Sequence, residues 1–245
     1  MENVSVQPGG KPSIGKYIAS MMEKGDSVLY PNPGYPIYES QIEFYEGVSM
    51  PYGYINTNDG LKLDFDAIEK GVENGAKHIF YNNYNNPTGA SSPKDEIERL
   101  AKLVIENDMF LISDDAYFDT LYDGEPTSIA SYPGMYERTL TMYTFSKKFA
   151  MTGWRLGASI GPKKIIEQIN RLNVNMESCT THFVQYAGLA GLNAPSQETQ
   201  DILDALKERR DALSEITFST SEDRLAALER GSGREEGRSA SMLFV

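Results

Sequence analysis

The sequence predicts an α/β fold, a mainly parallel sheet flanked by helices. Two observations carry this prediction. Short runs of β-branched and aromatic residues alternate with longer stretches whose apolar residues recur at helical spacing, the mark of strand–helix–strand crossovers. The polar residues Asn86, Asp114 and Lys147 each fall just after or at the end of a predicted strand. Parallel sheets gather ligands at that rim, outside the carboxyl ends of their strands.

Along the chain, Val28-Leu29-Tyr30 is the first strand, between Gly25-Asp26 and the turn-rich Pro31-Asn32-Pro33-Gly34. Residues 66–73 read as a helix, and His78-Ile79-Phe80-Tyr81 as a strand ending at Asn82-Asn83. A helix follows over 93–107, where Ile97, Leu100, Ala101 and Val104 make one apolar stripe behind a proline and an acidic first turn. Phe110-Leu111-Ile112-Ser113 is the next strand, ending at Asp114-Asp115, and residues 139–144 are another, ending at Ser146-Lys147. A strand over 156–160 and helices over 163–172 and from Phe183 onward complete the pattern. From about Ser214 the composition shifts toward Gly, Ser, Arg and Glu, and residues 231–241 are expected to be poorly ordered.

Composition excludes several function classes. The chain has 35 acidic and 23 basic residues, a net charge of −12, which opposes the clustered positive charge that nucleic acids require. A single cysteine, Cys179, excludes an internal disulfide and a cysteine-built zinc site. His78 and His182 lie far apart without metal-ligand spacing, so no metal is expected. No apolar run is long enough to span a bilayer and no signal pattern opens the chain, so the expected location is cytoplasmic.

Chemistry concentrates in a few segments. In Thr144-Phe145-Ser146-Lys147-Lys148-Phe149-Ala150-Met151-Thr152-Gly153-Trp154-Arg155, a lysine leaves one strand and an arginine precedes the next. A lysine nucleophile needs its amine unprotonated, which burial favours, and an arginine fork suits phosphate oxygens. Tyr84-Asn85-Asn86-Pro87-Thr88-Gly89 is a turn after a strand, and Ser113-Asp114-Asp115-Ala116-Tyr117 places two acids at another strand end, where helix capping is the bland reading. Near the start, Gln7-Pro8-Gly9-Gly10-Lys11-Pro12 has the glycines and helix start of an anion site, and Pro33-Gly34-Tyr35-Pro36 sets an aromatic after a turn.

In this order and spacing, over about residues 4–212, these segments resemble the class I/II aminotransferases, enzymes dependent on pyridoxal 5′-phosphate (PLP). The resemblance implies the large domain of their three-layer fold over residues 1–213, with 214–245 a divergent tail and the small domain absent. It implies that Lys147 carries the cofactor as a Schiff base and acts as general base, with Lys148 as the rival nucleophile. Asp114 would face the pyridine nitrogen, Asn86 and Tyr117 the ring oxygen, and Tyr35 the ring face. Gly10, Lys11, Thr144 and Arg155 would hold the phosphate; Thr144 stands where the family usually has Ser or Gly and keeps a hydroxyl. The implied reaction moves an amino group between an amino acid and a 2-oxo acid, in a homodimer whose interface lies near Ser178-Cys179-Thr180-Thr181. A lyase on the same fold and a PLP-binding fragment without turnover are the alternatives. The family's substrate-carboxylate arginine has no match after Leu213, which reads as truncation or an out-of-frame tail.

Overall fold

The computed structural model describes residues 2–229 except 59 and 123, with backbone alone over 215–229. Its elements in chain order are β1 (Val4–Gln7), α1 (Lys11–Met21), β2 (Ser27–Pro31), α2 (Ile37–Phe44), β3 (Val48–Tyr52), β4 (Tyr54–Thr57) and β5 (Gly60–Leu63). There follow α3 (Phe65–Glu73), β6 (Ala76–Tyr81), α4 (Lys94–Glu106), β7 (Phe110–Asp114), β8 (Thr139–Thr144), β9 (Gly157–Ile160), α5 (Lys163–Met176), α6 (His182–Asn193) and α7 (Ser196–Glu229).

Seven strands form one sheet in the order β1-β9-β8-β7-β6-β2-β3. Pairing is parallel from β8 through β7, β6 and β2 to β3, whereas β9 is antiparallel to both β8 and β1. The mainly parallel sheet is as expected. Both faces are covered, and the strands show it by alternation: Leu29, Ile79, Tyr81 and Leu111 pack with α3 and α4 on one side. Val28, Tyr30, Phe80, Ile112 and Leu140 pack with α1, α2 and α5 on the other. A period of two with both sets apolar is what a sheet sandwiched between helix layers requires.

The helices form where their apolar stripes meet these faces. In α4, Ile97, Leu100, Ala101 and Val104 are all buried, and Asp95 and Glu96 complement the dipole in its first turn. The Asp64 side chain caps α3 by accepting from the Ala67 amide at 3.0 Å.

The expected pattern does not include α2, the edge strand β3 or the small hairpin of β4 and β5. β3 contains Pro51, which is tolerated because β3 is the last strand of the sheet. The strand expected from 156 begins one residue later. α7 continues across the boundary expected between 213 and 214 to Glu229, through the strong helix formers Ala226, Ala227 and Leu228. Residues 231–241 lie outside the described residues. Among the described residues, no helix is long and apolar enough to cross a membrane, and no metal-binding cluster is found.

The register brings three strand ends level. Tyr81 lies opposite Ser113, Ser113 opposite Thr141, and Asp114 opposite Met142. The residues that follow β6, β7 and β8 therefore emerge at one rim.

Candidate active site

A cavity of about 430 Å³ opens at this rim, and all nine residues singled out in the sequence line it. They arrive from six stretches of chain: the β1–α1 turn, the segment before α2, the ends of β6, β7 and β8, and, for Arg155, the approach to β9.

Asp114 ends β7 and is 4% exposed. Its Oδ2 accepts from the Tyr38 hydroxyl at 2.5 Å, and its Oδ1 from the Ala116 amide at 3.1 Å. Burial pushes its carboxyl up to about 6, although both hydrogen bonds pull the other way. The residue that follows, Asp115, is turned elsewhere: its Oδ1 accepts from Ser113 Oγ at 2.5 Å, and it does not line the cavity.

Asn82, just beyond β6, ties the rim together. Its amide Nδ2 donates to the Asp114 carbonyl at 2.8 Å, while its Oδ1 accepts from the Asn86 amide at 2.9 Å. The turn carrying Asn86 is thereby fixed to the end of β7. Neither Asn82 nor Tyr38 was singled out from the sequence. Tyr38 lies two residues beyond the Pro33–Pro36 turn that drew attention to Tyr35, but its role is visible only once α2 is seen to pack it beside Phe80, with centroids 4.9 Å apart.

Lys147 leaves β8 and is partly buried. Its Nζ lies 5.2 Å from the centre of the Tyr117 ring. Desolvation lowers its pKa, with Asp114 opposing. Lys148 points elsewhere: its Nζ is 3.2 Å from Asp119 Oδ1. It does not line the large cavity. The structure thus separates the two lysines that the sequence left as rivals.

The opposite wall suits an anion. Gly10 precedes α1 without a side-chain cap, and it lines the cavity together with Lys11, so the positive end of this helix lies at the cavity wall. Gly9 has φ +100°, and a side chain there would run into the Arg155 guanidinium. Arg155 itself adopts φ 57° and is anchored by donating from Nη1 to the Thr152 carbonyl at 2.7 Å and from Nη2 to the Pro8 carbonyl at 3.4 Å. The Thr144 hydroxyl sits 3.0 Å from Ser146 Oγ on the same side. Tyr35 closes the site edge-on to Tyr38 (centroids 5.8 Å), with Lys11 Nζ 5.8 Å from its ring centre.

A buried acid, a partly desolvated amine and an anion cradle around one cavity accompany a family match: the aminotransferase class I and II family covers residues 1–217. The chain belongs to the class I and II aminotransferases. It is 30% identical over 213 residues to an aspartate aminotransferase of Musicola paradisiaca, covering 86% of this chain and 52% of that protein. An LL-diaminopimelate aminotransferase of Halothermothrix orenii is 32% identical over 208 residues, 84% of this chain and 53% of that one. Among solved structures, an aromatic aminotransferase from Pyrococcus horikoshii superposes with a TM-score of 0.82 at 29% identity, covering 90% of this chain and 59% of that one. The chain spans about half the length of the curated relatives it matches.

Proposed function

We propose that the rim cavity binds PLP on Lys147, and that this aminotransferase chain moves an amino group between an amino acid and a 2-oxo acid. The observation that carries the reading is the pairing of Lys147 with Asp114 across one cavity, the amine and the acid both shifted toward neutrality by burial.

The donor set fits the cofactor. The hydrogen bonds on the Asp114 carboxylate come from neutral groups, Tyr38 and Ala116, so it has room for a positive partner such as a protonated ring nitrogen. The helix start at Gly10, with Lys11, Thr144 and Arg155, suits a phosphate. Asn86 and Tyr117 stand on the cavity wall as donors for the ring hydroxyl oxygen, and Tyr35 supplies an aromatic face.

When bound, PLP supplies the electron sink that accepts the pair released at the substrate's α-carbon. Asp114, as an anion, holds a proton on the ring nitrogen. Lys147 Nζ would hold the cofactor's aldehyde and, as a free amine, would take up and return the α-proton. Lowering the lysine's pKa by burial raises the fraction of unprotonated amine available for both tasks.

The reading takes residues 1–213 as the cofactor-binding large domain and 214–245 as a divergent tail; the extent of the family match over 1–217 supports that division. It places the protein in the cytoplasm as a homodimer. Phe183, Tyr186, Leu189 and Leu192, all exposed along α6, supply an apolar stripe suited to association.

The test is titration of the purified chain with PLP. A visible absorbance band should form, survive Lys148→Ala and vanish in Lys147→Ala; a band that persists in Lys147→Ala overturns the reading. Paired conversion of an amino acid and a 2-oxo acid then checks turnover, and ammonia released without an acceptor would mark elimination instead.

A further inference from the structure

Two adjacent amines, Lys147 and Lys148, present a selection problem if the cavity holds an aldehyde. Condensation forms one C=N bond, releases one water and needs the amine's lone pair, and both side chains have the same chemistry. Proximity does not separate them either, because both border a second, smaller cavity of about 180 Å³ against α7.

What separates them is Asp119, in the loop after β7. Its Oδ1 lies 3.2 Å from Lys148 Nζ. Its Oδ2 accepts from the Tyr143 hydroxyl at 2.7 Å. Tyr143 belongs to β8, so the carboxylate is fixed to the sheet by one oxygen and holds the lysine with the other. Phe149 flanks the same amine, its ring centre 5.6 Å from Nζ. Phe149 is itself stacked on Phe145 at 5.2 Å, and Phe145 meets Tyr143 edge-on at 5.5 Å. The tether and the aromatic packing therefore share one rigid base. The ion pair is partly buried, with 31% and 23% side-chain exposure. It is thus less screened than a fully solvated pair.

We infer that Asp119 is a positioning residue that withdraws Lys148 from the cofactor cavity and leaves Lys147 as the amine presented there. The inference rests on the proposed function for its purpose, but not for its geometry.

Two experiments separate the two. Without cofactor, trace acetylation with acetic anhydride near neutral pH, read by peptide mass spectrometry, should modify Lys147 more than Lys148. In Asp119→Asn, Lys148 should rise by up to about fivefold, the size of a lost ion pair of this kind. The exposed Lys94 should not change and serves as the internal reference. An unchanged Lys148 in Asp119→Asn overturns the inference. If that variant fails to fold, Tyr143→Phe frees the carboxylate from β8, and the same criterion applies: a smaller rise at Lys148 supports the inference, none overturns it.

With PLP and borohydride trapping, Lys147→Ala should leave Lys148 unlabelled, whereas Lys147→Ala with Asp119→Asn should move the label to Lys148. Labelling of Lys148 in Lys147→Ala alone also overturns the inference. A native chain that takes up no PLP while showing the acetylation shift sinks the proposed function and leaves the role of Asp119 supported.

Discussion

The Tyr38 hydroxyl donates a 2.5 Å hydrogen bond to Oδ2 of Asp114, joining the first turn of α2 to the end of β7. Both residues are buried, Tyr38 completely. A buried carboxylate is costly unless donors surround it. Tyr38 therefore contributes to keeping Asp114 ionisable in a cavity that otherwise pushes it toward the neutral acid.

Tyr38→Phe should expose that role. The change removes one of two donors from a buried carboxylate and should cost about 1–3 kcal/mol of stability. Because this hydrogen bond lowers the Asp114 pKa, its loss raises that pKa further. The cost should therefore be larger near pH 8 than near pH 5, as measured by urea denaturation of the cofactor-free chain. Equal losses at the two pH values would contradict the pairing.

Asp114→Asn should act in the opposite direction. With the folded carboxyl at about 6 against the usual 3.8, the folded state binds the proton more tightly than the unfolded one. That contribution is fully present below about pH 4 and is lost as pH rises through 6. An amide avoids the loss, so the cofactor-free variant should gain up to roughly 3 kcal/mol over the native chain near pH 8. The gain should shrink toward zero in acid, while PLP affinity falls.

His78 sets a different pH limit. Its Nδ1 lies 2.9 Å from the Tyr17 hydroxyl, and its Nε2 is 3.9 Å from Asp26 Oδ2. Burial drives the ring from the usual 6.5 down to about 4, with Asp26 opposing and Lys77 adding to the fall. The unfolded chain protonates first, so stability present above 6.5 is lost as pH falls toward 4. His78→Gln should flatten this loss relative to the native chain, in thermal melts across that range, without altering behaviour above pH 7.

Gly157→Ala tests the cradle. A Cβ there would lie 2.5 Å from the Gly9 carbonyl carbon and 2.7 Å from the Gly10 amide nitrogen. Backbone must move, at about 1–3 kcal/mol. The turn before α1 moves with it, so binding of PLP should weaken more than binding of pyridoxal, which lacks the phosphate. Equal weakening of both would detach this turn from the phosphate site.

Part of the site was legible from local signals, and the rest from the family resemblance. Asn86, Asp114 and Lys147 stand beside apolar runs that announce strands, and the glycines before Lys11 announce a turn into a helix. Tyr38, Asn82 and Asp119 carry no such signal. Tyr38 reads as one more aromatic, Asn82 as part of an asparagine-rich turn, and Asp119 as one acid among many. Their partners lie 76, 32 and 24 residues away in sequence, at Asp114, Asp114 and Tyr143. The missed β3 and hairpin are short and irregular, with Pro51 breaking the strand pattern.

By itself, the order of residues determined the alternation of strands and helices, the crossover topology and the arrival of Asn86, Asp114 and Lys147 at one rim. These follow from period-two and helical spacing and from the rule that parallel strands end on one side. Only the folded chain decided which of two neighbouring lysines faces the cavity, which acid turns inward, and what holds that acid ionised. Those outcomes depend on burial and on hydrogen bonds between distant segments, and neither exists until the layers pack.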